Sequence, residues 1–146
     1  MIGIIDYNMG NLASVKNTLN ILKTKSKIIK NPSELNTCDK IILPGVGAFG
    51  DAIKSLEKNG MKNAILKYSK SDRKILGICL GMQLLFERSY EFGIYKGLGL
   101  INGDVIKFNK SQMEFNEKIP HIGWNTIRII KKNPLFENLD NPYLYF

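Results

Sequence analysis

The chain has 146 residues, 44% hydrophobic and 23% charged, and carries a net charge of +8 at neutral pH. This is one domain's worth of an ordinary globular protein, long enough to bury a sizeable core. No apolar run approaches the roughly 20 residues of a membrane helix, and Met1–Asp6 lacks the basic region of a signal peptide, so no membrane partner is expected and the cytoplasm is the expected compartment. The 21 basic residues are scattered, with no run longer than a pair such as Lys131-Lys132 and no interleaved aromatic residues, so nucleic acid is not an expected partner. A solvated lysine-rich surface, phosphorylated substrates or an acidic partner subunit would each fit the charge.

In chain order, Ile2 to Ile5 predicts a short apolar strand, and Tyr7 to Asn11 a turn. Leu12, Val15, Leu19 and Leu22 recur at helical spacing, which predicts an amphipathic helix from about 12 to 23 with Asn11 as N-cap. A second strand is expected over Lys27 to Ile29, and a third over Lys40 to Leu43, running into a glycine-rich irregular segment from Pro44 to Gly50. Helices are expected over Asp51 to Lys58 and Met61 to Tyr68, a strand over Lys74 to Ile78, and a helix over Leu80 to Arg88. After Tyr90 glycines punctuate the chain, and Leu100 to Phe108 and Thr126 to Ile130 predict strands without long helices between them. Alternating strands and helices with short loops give an α/β fold: an open, mostly parallel sheet with helices on both faces, and antiparallel additions after about residue 97. Ligands of such sheets sit beyond the C-terminal strand ends, where the loops 6–11, 44–50 and 77–81 would gather.

The chemistry is concentrated in Gly77-Ile78-Cys79-Leu80-Gly81. An apolar strand ending in Gly-x-Cys-x-Gly and followed by a helix is the cysteine form of the nucleophile elbow. Gly77 and Gly81 remove side chains that would collide where strand and helix meet. A thiol at a helix N-terminus is drawn from its free pKa of about 8.5 toward the thiolate. A buried structural cysteine before a glycine-rich turn is the competing account of the same residues. Cys38, between Thr37 and Asp39, reads as a bystander. Two cysteines and one histidine offer no metal site, and no cofactor is expected.

Five segments together carry a resemblance: Asp6-Tyr7-Asn8-Met9-Gly10-Asn11; Leu43-Pro44-Gly45-Val46-Gly47-Ala48-Phe49-Gly50; Gly77 to Glu87; Gly97-Leu98-Gly99-Leu100; and Pro120-His121-Ile122-Gly123-Trp124-Asn125. In order and spacing the chain resembles class I (triad-type) glutamine amidotransferases, most closely the glutaminase subunits of imidazole glycerol phosphate synthase. The resemblance covers all 146 residues and implies a single type 1 amidotransferase domain of flavodoxin-like fold, of which 1–146 is the N-terminal portion. It implies glutamine as substrate and Cys79 as nucleophile, with backbone N–H groups of Val46 and Leu80 as the oxyanion hole. The glycines beside Val46 would let that peptide turn over, so that the hole forms when a partner or its ligand binds. It implies Gly45, Gly47, Gln83 and Glu91 as substrate-binding residues, Glu91 facing the substrate ammonium. Gln83 lies four residues beyond Cys79, one helical turn along. It implies Asn11, Pro120, His121, Ile122 and Trp124 at the interface of a heterodimer with a (β/α)₈ synthase or cyclase subunit, which receives the ammonia and makes imidazole glycerol phosphate and AICAR in histidine biosynthesis.

One departure is large. Such a cysteine is served by a histidine oriented by a glutamate from a C-terminal His-Pro-Glu type motif, and this sequence contains neither. His121, its sole histidine, falls in the interface motif. General acid–base help is worth roughly 100- to 10,000-fold, so negligible turnover is expected of these 146 residues alone. Exposed apolar core and a tendency to associate are also expected. Three alternatives stay open on sequence: a paralogous amidotransferase subunit for sugar amidation in surface-glycan synthesis, a non-catalytic docking remnant, and a cysteine hydrolase or stress-response protein of the wider superfamily.

Overall fold

The computed structural model describes residues 1–113, 119–131, 133–137, 139 and 142–146. The described chain divides into two compact units, Met1–Lys107 and Phe108–Phe146.

The first unit is built on a parallel sheet. Strand β1 (Ile2–Ile5) leads into helix α1 (Leu12–Ile21), β2 (Ser26–Ile29), a 3₁₀ turn (Pro32–Thr37), β3 (Lys40–Gly45), α2 (Phe49–Lys58), α3 (Met61–Ser69), β4 (Lys74–Cys79) and the one-turn helix α4 (Leu80–Gln83). The strand order is β2-β1-β3-β4, all parallel. Side chains alternate across this sheet. Ile4 and Ile42 pack with Leu19, Leu12 and Val15 of α1 on one face. Ile5, Ile41 and Leu43 pack with Ile53 and Leu56 of α2 and Ile65 of α3 on the other. Helices therefore cover both faces, as the alternating pattern predicts. Asn11 caps α1 as expected, its Oδ1 accepting the Ser14 N–H at 3.2 Å. No helix among the described residues is long and apolar enough to cross a membrane.

Four sequence expectations need correction. Pro44 and Gly45 are not irregular but complete β3, and Phe49 and Gly50 already belong to α2, so the irregular stretch shrinks to 46–48. The helix expected over Leu80 to Arg88 stops at Gln83, and Phe86–Ser89 is strand β5. The cause is long-range: the carbonyls of Leu84, Leu85, Phe86 and Glu87 accept N–H groups from Leu98, Leu100, Gly99 and Gly97 instead of continuing a helix. A Cβ on Gly97 would overlap the Phe86 carbonyl, which explains why that glycine allows the approach.

Third, the strand expected over Leu100 to Phe108 is confined to β7 (Ile101–Val105), which joins β5 in parallel; the antiparallel neighbour of β5 is β6 (Tyr95–Lys96). Fourth, the strand expected over Thr126 to Ile130 is instead β8 (Trp124–Thr126), paired antiparallel with β9 (Tyr143–Tyr145) in the second unit. The ladder runs one bond further, from the Ile127 N–H to the Pro142 carbonyl at 3.1 Å. Pro142 has no N–H to give back, and the strand ends there.

Candidate functional site

The C-terminal ends of β1, β3 and β4 lie side by side, with Gly45 opposite Cys79 in the ladder. Cys79 has φ +54° and ψ −121°, a backbone region that a side-chain-bearing residue enters at a cost of roughly 1–3 kcal/mol. It is the corner between β4 and α4, and it is exposed to solvent. Glycines make the corner possible. A Cβ on Gly77 would come within 2.5 Å of Met82 Cα, and one on Gly81 would run into the Leu43 carbonyl. A Cβ on Gly45 would collide with the Tyr7 hydroxyl and lie 2.8 Å from the Gly81 nitrogen. Three glycines thus let β3, β4 and α4 approach at backbone distance. The buried-cysteine account fits Cys38, which is 2% exposed, and not Cys79.

Leu80 opens α4, so its N–H is among the first-turn donors that a helix leaves without an internal acceptor. With α4 a single turn long, the dipole argument drawn from a longer helix weakens accordingly. Val46 is half exposed, and its N–H donates to the Met9 carbonyl at 2.9 Å. That N–H is therefore turned toward the β1–α1 loop. Gly47 follows with φ +100°, a conformation glycine adopts freely. Gln83 ends α4, partly buried.

Glu91 is exposed, and its Oε2 accepts the Phe49 N–H at 2.7 Å. Phe49 is the first residue of α2, and the N-cap residue, Ala48, has no side-chain oxygen to offer. The Glu91 carboxylate therefore caps this helix from 42 residues away.

Sequence reasoning missed the part played by Tyr7. Its ring is 1% exposed, and its hydroxyl donates to the Pro44 carbonyl at 2.8 Å. Burial, reinforced by the nearby Cys79 sulfur, pushes the phenol well above its ordinary range. No local pattern signals such a role, because partner and donor are 37 residues apart.

Asn11 is exposed at the start of α1. Pro120, His121, Ile122 and Trp124 belong to the second unit. Trp124 is 70% exposed with its indole edge-on to Tyr145 at 5.5 Å, and Ile122 is 66% exposed, so Trp124 is no core tryptophan. The His121 Nε2 lies 2.8 Å from Asn125 Nδ2, and its ring lies 5.8 Å from that of Phe146. The first unit contains no histidine.

Comparison with known proteins bears on this geometry. Residues 4–128 match the CobB/CobQ-like glutamine amidotransferase domain family. The imidazole glycerol phosphate synthase subunit HisH of Wolinella succinogenes is 54% identical over 147 aligned residues, covering 100% of this chain and 72% of that protein. The HisH subunit of Sulfurimonas denitrificans is 54% identical, with 100% and 70% covered. That of Methanocaldococcus jannaschii is 51% identical, with 100% and 71% covered. A crystal structure of a glutamine amidotransferase, 20% identical, superimposes with a TM-score of 0.62 over 72% of this chain and 55% of its own length, and supports the fold. With a cysteine at the elbow, a glycine-flanked loop beside it and relatives of this closeness, the chain belongs to the glutamine amidotransferases, in the family of imidazole glycerol phosphate synthase HisH subunits.

Proposed function

We propose that the chain is the glutaminase part of a cytoplasmic, heterodimeric imidazole glycerol phosphate synthase, feeding ammonia to a (β/α)₈ cyclase subunit in histidine biosynthesis. The observation that carries this reading is the strained corner at Cys79, with φ +54° and exposed, opposite Gly45, the last residue of β3 before the loop that bears Val46.

The chemistry follows from that corner. The Cys79 thiolate attacks the side-chain amide carbon of glutamine. The carbonyl oxygen takes the negative charge, and N–H donors at Leu80 and Val46 stabilise it. The C–N bond then breaks, the nitrogen leaves as ammonia after gaining a proton, and a glutamyl thioester remains. Water hydrolyses the thioester to glutamate and regenerates the thiol. Gln83 and Glu91 bind the amino-acid end of glutamine, with the Glu91 carboxylate facing the ammonium, and Gly45 and Gly47 let the backbone approach the substrate.

The resting loop is not set for this reaction, since the Val46 N–H is bonded to Met9. Rotation of that peptide toward the substrate completes the hole. Asn11, two residues beyond Met9 in the first unit, contacts the synthase subunit, and so do Pro120, His121, Ile122 and Trp124 of the second unit. An exposed tryptophan is a common interface anchor.

The proton shuttle is the second requirement. His121 is held by Asn125 within the interface motif, and the first unit has no histidine to serve Cys79. We therefore expect the 146-residue polypeptide alone to hydrolyse glutamine negligibly. The test is glutamate release from glutamine by this polypeptide mixed with the cyclase subunit of a HisH relative. Turnover far below that of the intact relative, with Cys79 still trapped by glutamine-like electrophiles, supports the reading. Turnover equal to the intact enzyme overturns the assignment of the shuttle, and an inert Cys79 overturns the assignment of the nucleophile.

A further inference from the structure

The loop that carries Val46 is fastened at both ends by side chains from outside it. At its far end the Glu91 carboxylate holds the Phe49 N–H at 2.7 Å. At its near end the buried Tyr7 hydroxyl holds the Pro44 carbonyl at 2.8 Å. Tyr7 is itself tied down, because the Ser55 hydroxyl of α2 donates to the Tyr7 carbonyl. Gly45 then lies with no side chain between the Tyr7 hydroxyl and the backbone of α4.

A phenylalanine ring would fill the same buried place, so the hydroxyl needs its own reason. A buried O–H is tolerated where it has an acceptor, and here the acceptor is the Pro44 carbonyl at the end of β3, just before the loop. The Pro44–Gly45 peptide, at the very end of the β3–β4 ladder, is thereby held through its carbonyl as well as by its pairing with β4, while Gly45–Val46 and Val46–Gly47, flanked by glycines, keep their torsional freedom. We propose that Tyr7 is a positioning residue for the oxyanion loop: its hydroxyl anchors the Pro44 carbonyl so that rotation is confined to the peptides next to Val46 and delivers the Val46 N–H to one place. This rests on the glutaminase reading above. Without the anchor, the last pair of the ladder, Gly45 with Cys79, is left to hold the end of β3 alone; that end frays, and the donor loses the preorganisation on which oxyanion stabilisation depends.

Tyr7→Phe tests this with two readouts on the same polypeptide. The first is hydrogen–deuterium exchange over residues 44–49. The variant is expected to exchange about tenfold faster at the Val46 amide, with α1 and α3 unchanged. Unchanged exchange at Val46 overturns the anchor. The second, measured with the cyclase subunit of a HisH relative bound so that the hole can form, is the rate of Cys79 alkylation by a chloroketone analogue of glutamine relative to iodoacetamide. The chloroketone needs a placed oxyanion donor and iodoacetamide does not, so that ratio is expected to fall about tenfold or more while the iodoacetamide rate holds. A merely looser fold would raise both rates, which would also overturn the proposal. If Tyr7→Phe does not fold, Ser55→Ala, which loosens Tyr7 from behind, is expected to give the same loop-specific exchange at smaller amplitude, and no change there overturns the anchor. A wild-type Cys79 with no preference for the chloroketone even with the cyclase subunit bound sinks the glutaminase reading, while the exchange readout on the polypeptide alone still decides the anchor.

Discussion

The two ends of the parallel sheet each hold one cysteine, in opposite surroundings. Cys38 stands before β3 at the N-terminal end, with φ −106° and ψ 135°, ordinary extended backbone. It is 2% exposed, with its sulfur against Gly3, and its carbonyl accepts the Tyr68 hydroxyl at 3.2 Å and an Arg73 guanidinium N–H at 3.3 Å. Cys79 stands at the C-terminal end of β4, exposed, at φ +54°. The residue type is the same; strand polarity makes the difference. At one end the chain enters the sheet and satisfies its polar groups at once. At the other it leaves through glycine-bearing loops that expose N–H groups and a bent backbone.

Three substitutions sharpen this contrast, the largest first. Gly81→Ala puts a Cβ into the Leu43 carbonyl, where backbone faces backbone and nothing can give way. A loss of about 3 kcal/mol is expected, read as a lowered midpoint in denaturant unfolding, together with loss of selective Cys79 labelling. Gly3→Ala at the opposite end meets the Cys38 sulfur at 2.7 Å, and a side chain can shift or be trimmed. A loss of about 1 kcal/mol is expected there, partly recovered by adding Cys38→Ala because Ile29 Cγ1 at 3.0 Å remains, with Cys79 labelling intact. Equal, unrescued losses at both ends would erase the distinction between them.

The smallest effect concerns pH. The Glu34 carboxylate in the turn before Cys38 is held below its ordinary range, first by its bond with Lys27, then by the Asn31 N–H. A carboxylate with a depressed folded-state pKa stabilises the fold above its unfolded pKa of about 4.3, and that contribution disappears as pH falls through the lower folded value. Glu34→Gln should therefore flatten a shallow decline in melting temperature below about pH 4.3, while leaving labelling of Cys79 at neutral pH unaltered. A change in that labelling would tie the two ends together and count against the contrast.

Local patterns made much of this legible. The alternation of strands and helices, the Gly-x-Cys-x-Gly corner and the Asn11 cap are all written in contiguous residues. Gly77 and Gly81 stand where the corner needs them. What stayed hidden depends on distant partners. Leu84 and Leu85 have helical neighbours in sequence, yet their carbonyls are taken by residues 98–101. Glu91 reads as surface polarity or a substrate ligand, and its capping of α2 appears once Phe49 is folded beside it. Tyr7 sits inside a recognised motif, but its acceptor, the Pro44 carbonyl, has no sequence signature. The state of the Val46 peptide is a matter of the torsions on either side of it, between two glycines, which composition cannot set.

The exposed face of β4 adds a physical consequence. Leu76 and Ile78 are 41% and 40% exposed. Apolar side chains left open on a strand favour association.

The most direct measurement of the central claim is competitive alkylation of the native chain by the glutamine chloroketone, followed by peptide mass spectrometry. Modification is expected at Cys79, suppressed by added glutamine and accelerated when a cyclase subunit is bound, with Cys38 untouched until the protein is unfolded. Equal modification of both cysteines, or labelling of Cys79 that glutamine does not suppress, would contradict it.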